Sequence, residues 1–213
     1  MKKSVKILLI AALLVVLVIV ILIIKSNHKI VVCIDAGHGG DDVGAILDKR
    51  YEKDDTFEIA KLVKEYLKKQ DVKVIMTRKK DKSVSLEERC KIANNKKADF
   101  FVSIHRNSAK TGNGIEIWCN SSKREEDTNL ANTILEKLQN TEIQKNRGVK
   151  YGTINGENSD YYVLKNTNMP SCLIELGFIT DEGDNQLLDS HKKEYAKAIA
   201  NGIIQTIENK KEY

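Results

Sequence analysis

The sequence has little proline and glycine, with one Pro and 12 Gly among 213 residues. This composition excludes a collagen-like chain and a Pro-rich linker between domains. A repeat of 20–50 residues is also absent, which argues against a solenoid. Hydrophobic residues make up 41% of the chain and charged residues 31%. The chain is therefore too polar to cross a membrane many times and too apolar to be disordered, and its length suits one domain with a short appendage.

Cysteine is scarce as well, and none of the four cysteines forms a CxxC pair. The spacing argues against a thiolate zinc site and against a dithiol redox motif. Cys33, Cys119 and Cys172 each lie in an apolar, strand-like run. We expect small buried hydrophobic side chains there, although an oxidising exterior would permit disulfides.

One apolar run stands apart from the rest of the chain: 18 residues from Ile7 to Ile24. A helix of that length is about 27 Å long, close to the hydrocarbon thickness of a bilayer. The run is longer than the apolar core of a cleavable signal peptide and ends without a small residue, which favours an uncleaved anchor. Three lysines precede it and place the N-terminus in the cytoplasm. We therefore predict a cytoplasmic segment 1–6, a transmembrane helix 7–24, a connector 25–29 and an extracytoplasmic domain 30–213.

Excess positive charge is nearly absent once the anchor is set aside. The net charge of the whole chain is +5. Four lysines that flank the apolar run supply +4 of it: Lys2, Lys3, Lys6 and Lys25. A domain close to neutral, without a basic stripe interleaved with aromatics, is not expected to bind nucleic acid.

From residue 30 onward, apolar strand-like runs alternate with amphipathic helical patterns. This alternation predicts a single α/β domain, with a mostly parallel mixed sheet flanked by helices on both faces. Residues 114–119 alternate as a half-exposed strand should. The predicted strands are 30–35, 72–77, 99–105, 114–119, 161–164 and 171–176, and the predicted helices are 54–69, 85–94, 128–139 and 192–208.

Functional residues of such sheets gather where strands end and loops begin. His38 follows the first strand and His105 closes the third, whereas His28 and His191 lie in polar, surface-like stretches. Glu52 directly precedes the first helix, where it is either an acid favoured by the helix dipole or a metal ligand. Two imidazoles and one carboxylate are a common catalytic zinc set.

Two further carboxylates fall within or at the end of apolar strands. Glu175 is a lone acid in the run Leu173–Leu176, and burying it without a task or a partner is expensive. It is therefore a candidate for proton transfer, with a buried salt bridge as the alternative. Asp35 ends the first strand and is a candidate to orient a ligand histidine, or simply a strand-end acid.

The run IDAGHGG at residues 34–40 resembles the opening motif of the zinc-dependent N-acetylmuramoyl-L-alanine amidases of bacterial cell walls. Further matches follow in the same order, so that the resemblance covers about residues 30–207. They comprise Asp42 with Gly44-Ala45, Glu52-Lys53-Asp54, Thr77-Arg78 with Asp81, Leu86 and Arg89 with Ala93-Asn94, Ala98 to His105 with Asn107, Gly114 with Glu116 and Trp118, and Met169-Pro170 leading into Glu175 to Ile179, with Asp184 and Leu187 beyond.

The resemblance implies hydrolysis of the amide between the lactyl group of N-acetylmuramic acid and L-alanine, with peptidoglycan as the partner. It implies one Zn²⁺ per chain, held at His38, Glu52 and His105, with Glu175 as the general acid/base. Arg106 stands where the family usually has a small residue. We expect Arg106 and Asn107 to contact substrate, Arg106 by pairing with a stem-peptide carboxylate; the alternative is an internal salt bridge.

Two other functions remain open at this point. A zinc peptidase that cuts within the stem peptide would use the same ligands. A catalytically silent, membrane-tethered wall-binding protein is the non-enzymatic alternative. Loss of a ligand or of Glu175 would favour the silent protein, and all four residues are present. The anchor is expected to confine the catalytic domain to the inner layers of the wall.

Overall fold

A computed structural model describes residues 7, 9–11, 13–17, 29–156 and 159–211 of the chain. The chain divides into two compact units, Met1–Ile30 and Val31–Tyr213. In the first unit, the described residues between 7 and 17 are helical. Among the described residues, no helix has both the length and the apolar character needed to cross a membrane. The predicted anchor 7–24, the connector and His28 lie partly or wholly outside the described residues.

The second unit is built on a six-stranded sheet of order β4-β1-β5-β8-β6-β7. All neighbouring pairs are parallel except β6 and β8, which are antiparallel. The prediction of a mostly parallel mixed sheet is confirmed. The strands are β1 (Val31–Ala36), β4 (Lys73–Met76), β5 (Phe100–Asn107), β6 (Ile115–Cys119), β7 (Asn146–Tyr151) and β8 (Ser171–Phe178), with a separate hairpin of β2 (Ile46–Leu47) and β3 (Arg50–Tyr51).

Helices cover both faces of this sheet, as predicted. The helices are α1 (Glu52–Lys68), α2 (Leu86–Asn95), α3 (Glu125–Gln139), α4 (Tyr162–Lys165) and α5 (Glu182–Lys211). On one face α5 packs against both α1 and α3. On the other face α2 and α4 bury their apolar side chains against Cys33, Phe101 and Leu173. Ser85 caps α2, because its hydroxyl accepts a hydrogen bond from the backbone N–H of Glu88 at 3.2 Å.

Three local predictions are wrong. Residues 161–164 were predicted as a strand, but residues 162–165 form the short helix α4, which buries Val163 and Leu164 together. A strand would send these two neighbours to opposite faces. All five residues of β6 are buried rather than half-exposed. The edge strand β7 was missed, since its sequence is polar and no residue of it is fully buried.

The four cysteines are free and buried, which confirms their interpretation as small hydrophobic side chains. Burial raises the pKa of the Cys90 thiol to about 11 and that of the Cys119 thiol to about 12. These thiols are therefore protonated at neutral pH, and thiolate chemistry is not available to them.

Candidate metal centre

The three predicted ligands meet at the carboxyl ends of β1 and β5. His38 follows β1, His105 lies in β5, and Glu52 is the first residue of α1. One ligand atom from each residue lies within 4.8 Å of the others. The two imidazole rings stand edge to face, with centroids 5.0 Å apart and planes at 79°. Residues 67 positions apart in the chain thus form one cluster because parallel strands end at the same edge of the sheet.

The Glu52 carboxylate lies between the two imidazoles. Its Oε2 is 3.1 Å from His38 Nε2, and its Oε1 is 2.9 Å from His105 Nδ1. The backbone N–H groups of Ala45 and Arg106 also donate to it, at 2.9 and 3.0 Å. Burial alone would raise the pKa of Glu52, but the hydrogen bonds and charge of the two histidines lower it well below its usual range. The carboxylate is therefore ionised, as a metal ligand must be.

Two glycines leave room for the ligands. A Cβ at Gly37 would overlap the His105 ring. A Cβ at Gly44 would lie 2.7 Å from both Glu52 Oε2 and His38 Cδ2, and the φ of +69° at Gly44 independently favours glycine. His38 itself has a φ of 58°, a conformation that costs about 1–2 kcal/mol outside glycine. The backbone around the cluster is thus shaped to hold these side chains.

Asp42 orients the His38 ring. The Nδ1 atom of His38 is 2.8 Å from Asp42 Oδ1, which leaves Nε2 directed at Glu52. Burial alone would lower the pKa of His38, but the hydrogen bonds and charges of Glu52 and Asp42 raise it. A carboxylate on the far nitrogen of a ligand histidine fixes its tautomer and its direction. From the sequence this role was predicted for Asp35, and Asp42 was noted only as part of the opening motif, although its position four residues after His38 was a usable signal.

Asp35 makes its hydrogen bonds to residues other than the two histidines, so the structure does not support the prediction that it orients a ligand ring directly. Its carboxylate accepts hydrogen bonds from Thr77 at 2.6 Å, Ser103 at 2.7 Å and Arg89 at 2.7 Å. Arg89 in turn donates to the backbone carbonyl of His38 at 2.8 Å. Asp35 therefore supports the main chain that carries His38 through a buried arginine.

Glu175 lies beside this cluster in the row of side chains that crosses the sheet. Its Cα is the register partner of His105 on β5 and of Glu116 on β6. The residue is 8% exposed, and its Oε2 has no hydrogen-bond partner among the described residues. Burial raises the pKa of Glu175 well above its usual value, and the charges of Glu52 and Glu116 raise it further. No ion pair within the described part of the chain engages Glu175, so the alternative of a buried salt bridge is not observed.

Arg106 does not face the cluster, and its predicted contact with substrate is corrected. Successive strand residues point to opposite faces, so Arg106 leaves β5 on the side away from His105. Its guanidinium is buried and donates to Asp55 at 2.5 Å and to Asn185 at 2.7 Å. Only its backbone N–H reaches the site, where it supports Glu52. The internal ion pair, the alternative considered from the sequence, is the arrangement found.

Asn107 touches the site through Glu116, a residue that the sequence reasoning noted only as part of a motif. Asn107 Nδ2 donates to Glu116 Oε1 at 2.8 Å, and Trp118 Nε1 donates to the same oxygen at 3.1 Å. Arg147 Nε donates to the other oxygen at 2.7 Å. A lone carboxylate in an apolar strand was the signal for Glu175, and the same signal applies to Glu116.

Residues 32–205 match the family described as N-acetylmuramoyl-L-alanine amidase. The chain belongs to this family. The match includes all three members of the cluster and Glu175. The amidase domain thus coincides with the sheet and helices of the second unit.

Curated relatives agree with this family assignment. The chain is 39% identical over 176 residues to the uncharacterized protein YqiI of Bacillus subtilis, covering 81% of this chain and 82% of that protein. It is 31% identical over 196 residues to the germination-specific N-acetylmuramoyl-L-alanine amidase of the same organism, covering 83% and 78%. It is 34% identical over 181 residues to the probable cell wall amidase LytH of Staphylococcus epidermidis, of whose length it spans 57%.

Solved amidase structures share the fold. The catalytic domain of CwlV from Paenibacillus polymyxa is 32% identical, with a TM-score of 0.76, and 84% of this chain covers 99% of it. The CwlD amidase of Clostridioides difficile, solved in complex with the GerS lipoprotein, is 30% identical, with a TM-score of 0.78. In that comparison 85% of this chain covers all of the CwlD chain.

The amidase residues at the cluster fit a metal ion by the chemistry of their donors. Two imidazole nitrogens and one ionised carboxylate converge, and Asp42 already occupies the outer nitrogen of His38. Three protein ligands leave a further coordination position, as catalytic zinc centres require. Glu175, unpartnered and close by, lies where a proton-transferring group would serve such a centre.

Proposed function

We propose that the chain is a zinc-dependent peptidoglycan hydrolase that cleaves the amide between the lactyl group of N-acetylmuramic acid and L-alanine. One observation carries the proposal: Glu175 lies directly opposite His105 on the adjacent strand, beside the His38-Glu52-His105 cluster. Glu175 is buried there, and its Oε2 has no hydrogen-bond partner among the described residues. Membership of the amidase family supports the choice of the bond.

His38, Glu52 and His105 are the residues that would hold one Zn²⁺. A zinc ion supplies Lewis-acid chemistry, because it lowers the pKa of a bound water and polarises a carbonyl oxygen. Around it, Asp42 holds His38 in the required orientation and the backbone N–H of Arg106 holds Glu52. Both interactions hold the side chains of the proposed ligands in position.

Glu175 is the group that moves protons. Its carboxylate takes a proton from the attacking water, and the resulting acid delivers a proton to the departing amine of L-alanine. Burial, and then the charges of Glu52 and Glu116, raise the pKa of Glu175. Its carboxylate therefore binds a proton more readily than that of an exposed glutamate, which favours uptake of the proton from water.

The site of action would be the cell wall, with the domain tethered to the outer face of the membrane through residues 7–24. The 18-residue apolar run and its flanking lysines in the sequence support the tether. Fractionation of cells that express the full chain is expected to leave it in the membrane fraction. Recovery of a shortened protein from the medium, with a new N-terminus near residue 27, would contradict the tether and leave the enzymatic proposal intact.

Digestion of purified peptidoglycan with the full-length chain in detergent plus zinc tests the reaction. Mass spectrometry is expected to find intact stem peptides with a free L-alanine amine and glycan with free lactyl carboxylates. Shortened stems still joined to glycan would instead identify a peptidase. Unchanged peptidoglycan would identify a wall-binding protein without activity.

The Glu175→Gln variant keeps the shape of the side chain but cannot accept a proton. Turnover is expected to fall about a hundredfold or more, the usual scale for a general acid/base, while the zinc content stays at that of the wild type. Loss of zinc from this variant would show that Glu175 is a ligand, and unchanged turnover would remove it from the chemistry.

A further inference from the structure

We infer that Arg147 forms a binding site for a free carboxylate of the stem peptide, one or two residues beyond the L-alanine. This inference rests on the proposed function, because it assumes that the amide is cut between glycan and peptide. The ligand class is an acidic peptide, and the selectivity is for the carboxylate over its amide.

Arg147 lies on the side of Glu175 opposite the metal centre. Glu116 is the register partner of Glu175 on the neighbouring strand, and Arg147 Nε is 2.7 Å from Glu116 Oε2. His105, Glu175, Glu116 and Arg147 therefore form one row, which runs from the cluster across β8 and β6 to the edge strand β7. Neighbouring strands are about 4.8 Å apart, so the backbone of Arg147 lies about 10 Å beyond that of Glu175. The Arg147 guanidinium reaches back from there to the Glu116 carboxylate on β6.

The Arg147 guanidinium is held in one orientation, but not all of its N–H donors are hydrogen-bonded. Besides its bond to Glu116, its Cζ lies 4.9 Å from the centre of the Phe178 ring. Its Nη1 approaches the carbonyl of Asn113 at 3.4 Å, a long contact. Its Nη2 makes no hydrogen bond with any described residue, and the side chain is 30% exposed. A rigid, partly exposed arginine with free donors is the preferred protein partner for a carboxylate.

Three other arginines near the site are buried and make hydrogen bonds within the protein. Arg78, Arg89 and Arg106 are at most 3% exposed, and they donate to backbone carbonyls and buried acids. On the far side of the cluster lie Asp42, which contacts His38, and the ion pair of Lys53 with Asp81. Of the arginines at the site, Arg147 is therefore the one that offers free donors to a ligand.

The direction of proton transfer in the proposed reaction indicates on which side of Glu175 the peptide lies. Glu175 delivers its proton to the amine of L-alanine, so the leaving group lies on the Glu175 side of the cleaved bond. The peptide then continues away from the cluster, over β6 toward β7. The guanidinium, held against Glu116, lies between one and two strand spacings from Glu175, about 5–10 Å. An extended chain advances about 3.5 Å per residue, so that this span places the second or third stem residue at the guanidinium. These residues carry free carboxylates in some cell walls and amides in others.

The backbone beside Arg147 is open enough for a ligand. A Cβ placed at Gly148 would meet no atom within 4 Å among the described residues. Lys150, the register partner of Trp118 on β7, lies further along the same strand and provides a matched control. If any positive charge on this strand were sufficient, Lys150 would contribute as much selectivity as Arg147.

Paired synthetic muropeptides, identical except for a free acid or an amide at the second or third residue, test the inference. The wild type is expected to show a kcat/KM about tenfold higher on one of the acids, the scale of one charge-assisted contact that is partly open to solvent. Arg147→Ala is expected to abolish this ratio, Arg147→Lys to keep part of it, and Lys150→Ala to keep all of it. The test uses the ratio of kcat/KM on the acid to kcat/KM on the amide. Removing Arg147 also leaves Glu116 without its ion-pair partner next to Glu175, and this effect lowers kcat/KM on both substrates alike, so it cancels in the ratio.

Equal losses on acid and amide would overturn the inference and leave Arg147 as support for Glu116. A wild-type ratio near one would overturn it too. Arg147→Gln keeps a donor for Glu116 without the charge, and it replaces the alanine variant if that variant fails to fold. Calorimetric binding of the free stem peptides, acid against amide, repeats the comparison without turnover. A wild type that releases no intact stems from peptidoglycan, yet binds the acid peptide more tightly, would contradict the proposed reaction and not the carboxylate site.

Discussion

At the scale of single residues, Asp42 shows how a carboxylate outside the proposed ligand set can orient one of its histidines. It holds the Nδ1 atom of His38 at 2.8 Å and also accepts the backbone N–H of Gly44 at 3.2 Å. Asp42→Ala is expected to weaken zinc binding by about 10–100-fold, the usual cost of losing such a partner. Competition against a coloured chelator measures the affinity. Asp41→Ala, an exposed neighbour, is the control; a similar loss in both variants would reduce the role of Asp42 to local charge.

Asp35 and Arg89 form a buried ion pair whose contribution to stability depends on pH. Burial alone would raise the pKa of Asp35, but the charge of Arg89 and the hydrogen bonds from Thr77 and Ser103 lower it. The folded pKa therefore lies below the unfolded value of about 3.9. The pair contributes fully above that value, and its contribution is lost as the pH falls through the folded pKa.

Asp35→Asn is accordingly expected to lower the free energy of unfolding by about 3 kcal/mol at neutral pH, because it leaves Arg89 buried without its charge partner. The difference from wild type should begin to shrink below about pH 4, where the unfolded Asp35 carboxyl is protonated, and it should be smallest below the lower folded pKa. Urea unfolding across this range measures both effects. Asp54→Asn, at an exposed first-turn position of α1, is expected to change stability little; a pH-independent difference for Asp35→Asn would contradict the ion-pair account.

At the scale of elements, the sequence patterns correctly predicted those strands whose side chains are buried in a regular pattern. The apolar runs at β1, β5 and β8 were found because both of their faces are covered, and the ligand positions followed from the ends of β1 and β5. The edge strand β7 has no such pattern, so it was missed. The segment at α4 was misread because four apolar and aromatic residues are too few to distinguish a strand from one helical turn.

The parts of the site that were misassigned depend on which way a side chain leaves its element. The predicted strand ended at residue 105, but β5 continues to Asn107, so Arg106 lies within the strand and leaves it on the face opposite His105. Asp35 and Asp42 were equally plausible partners for a histidine in sequence. In the structure His38 has a left-handed φ of 58° and its ring contacts Asp42, whereas Asp35 accepts hydrogen bonds from Thr77, Ser103 and Arg89.

The contact of α3 with α5 depends on a glycine. A Cβ at Gly202 would lie 2.5 Å from Ile134 Cα and 2.9 Å from Ile134 Cγ1, so the two helix backbones would have to separate. Gly202→Ala is expected to destabilise the protein by about 1–3 kcal/mol through overpacking, even though alanine favours a helix by about 1 kcal/mol over glycine. Thermal unfolding measures the change. Asn201→Ala, at the adjacent exposed position, is expected to be neutral or stabilising, and a stabilised Gly202→Ala would show that the helices can shift without cost.

At the scale of the whole molecule, the cluster joins segments that are far apart in sequence. His38 follows the first strand of the sheet, Glu52 begins α1, and His105 lies near the end of β5. In the unfolded chain these residues are separated and offer no preformed site. A metal ion that binds the folded state alone therefore stabilises the entire domain and not just the loop that carries His38.

Removal of zinc is accordingly expected to lower the melting temperature. At a zinc concentration about 100-fold above the dissociation constant, binding contributes about 2.7 kcal/mol. For a domain of this size that is roughly 5–11 °C in Tm, since 1 kcal/mol corresponds to about 2–4 °C. Thermal unfolding with chelator, and again after zinc is restored, measures the shift. Glu175→Gln should retain the shift because it keeps all three ligands, whereas His105→Ala should lose most of it. A shift of wild-type size in His105→Ala would mean that zinc stabilises the fold from another site, and the ligand set would have to be reassigned.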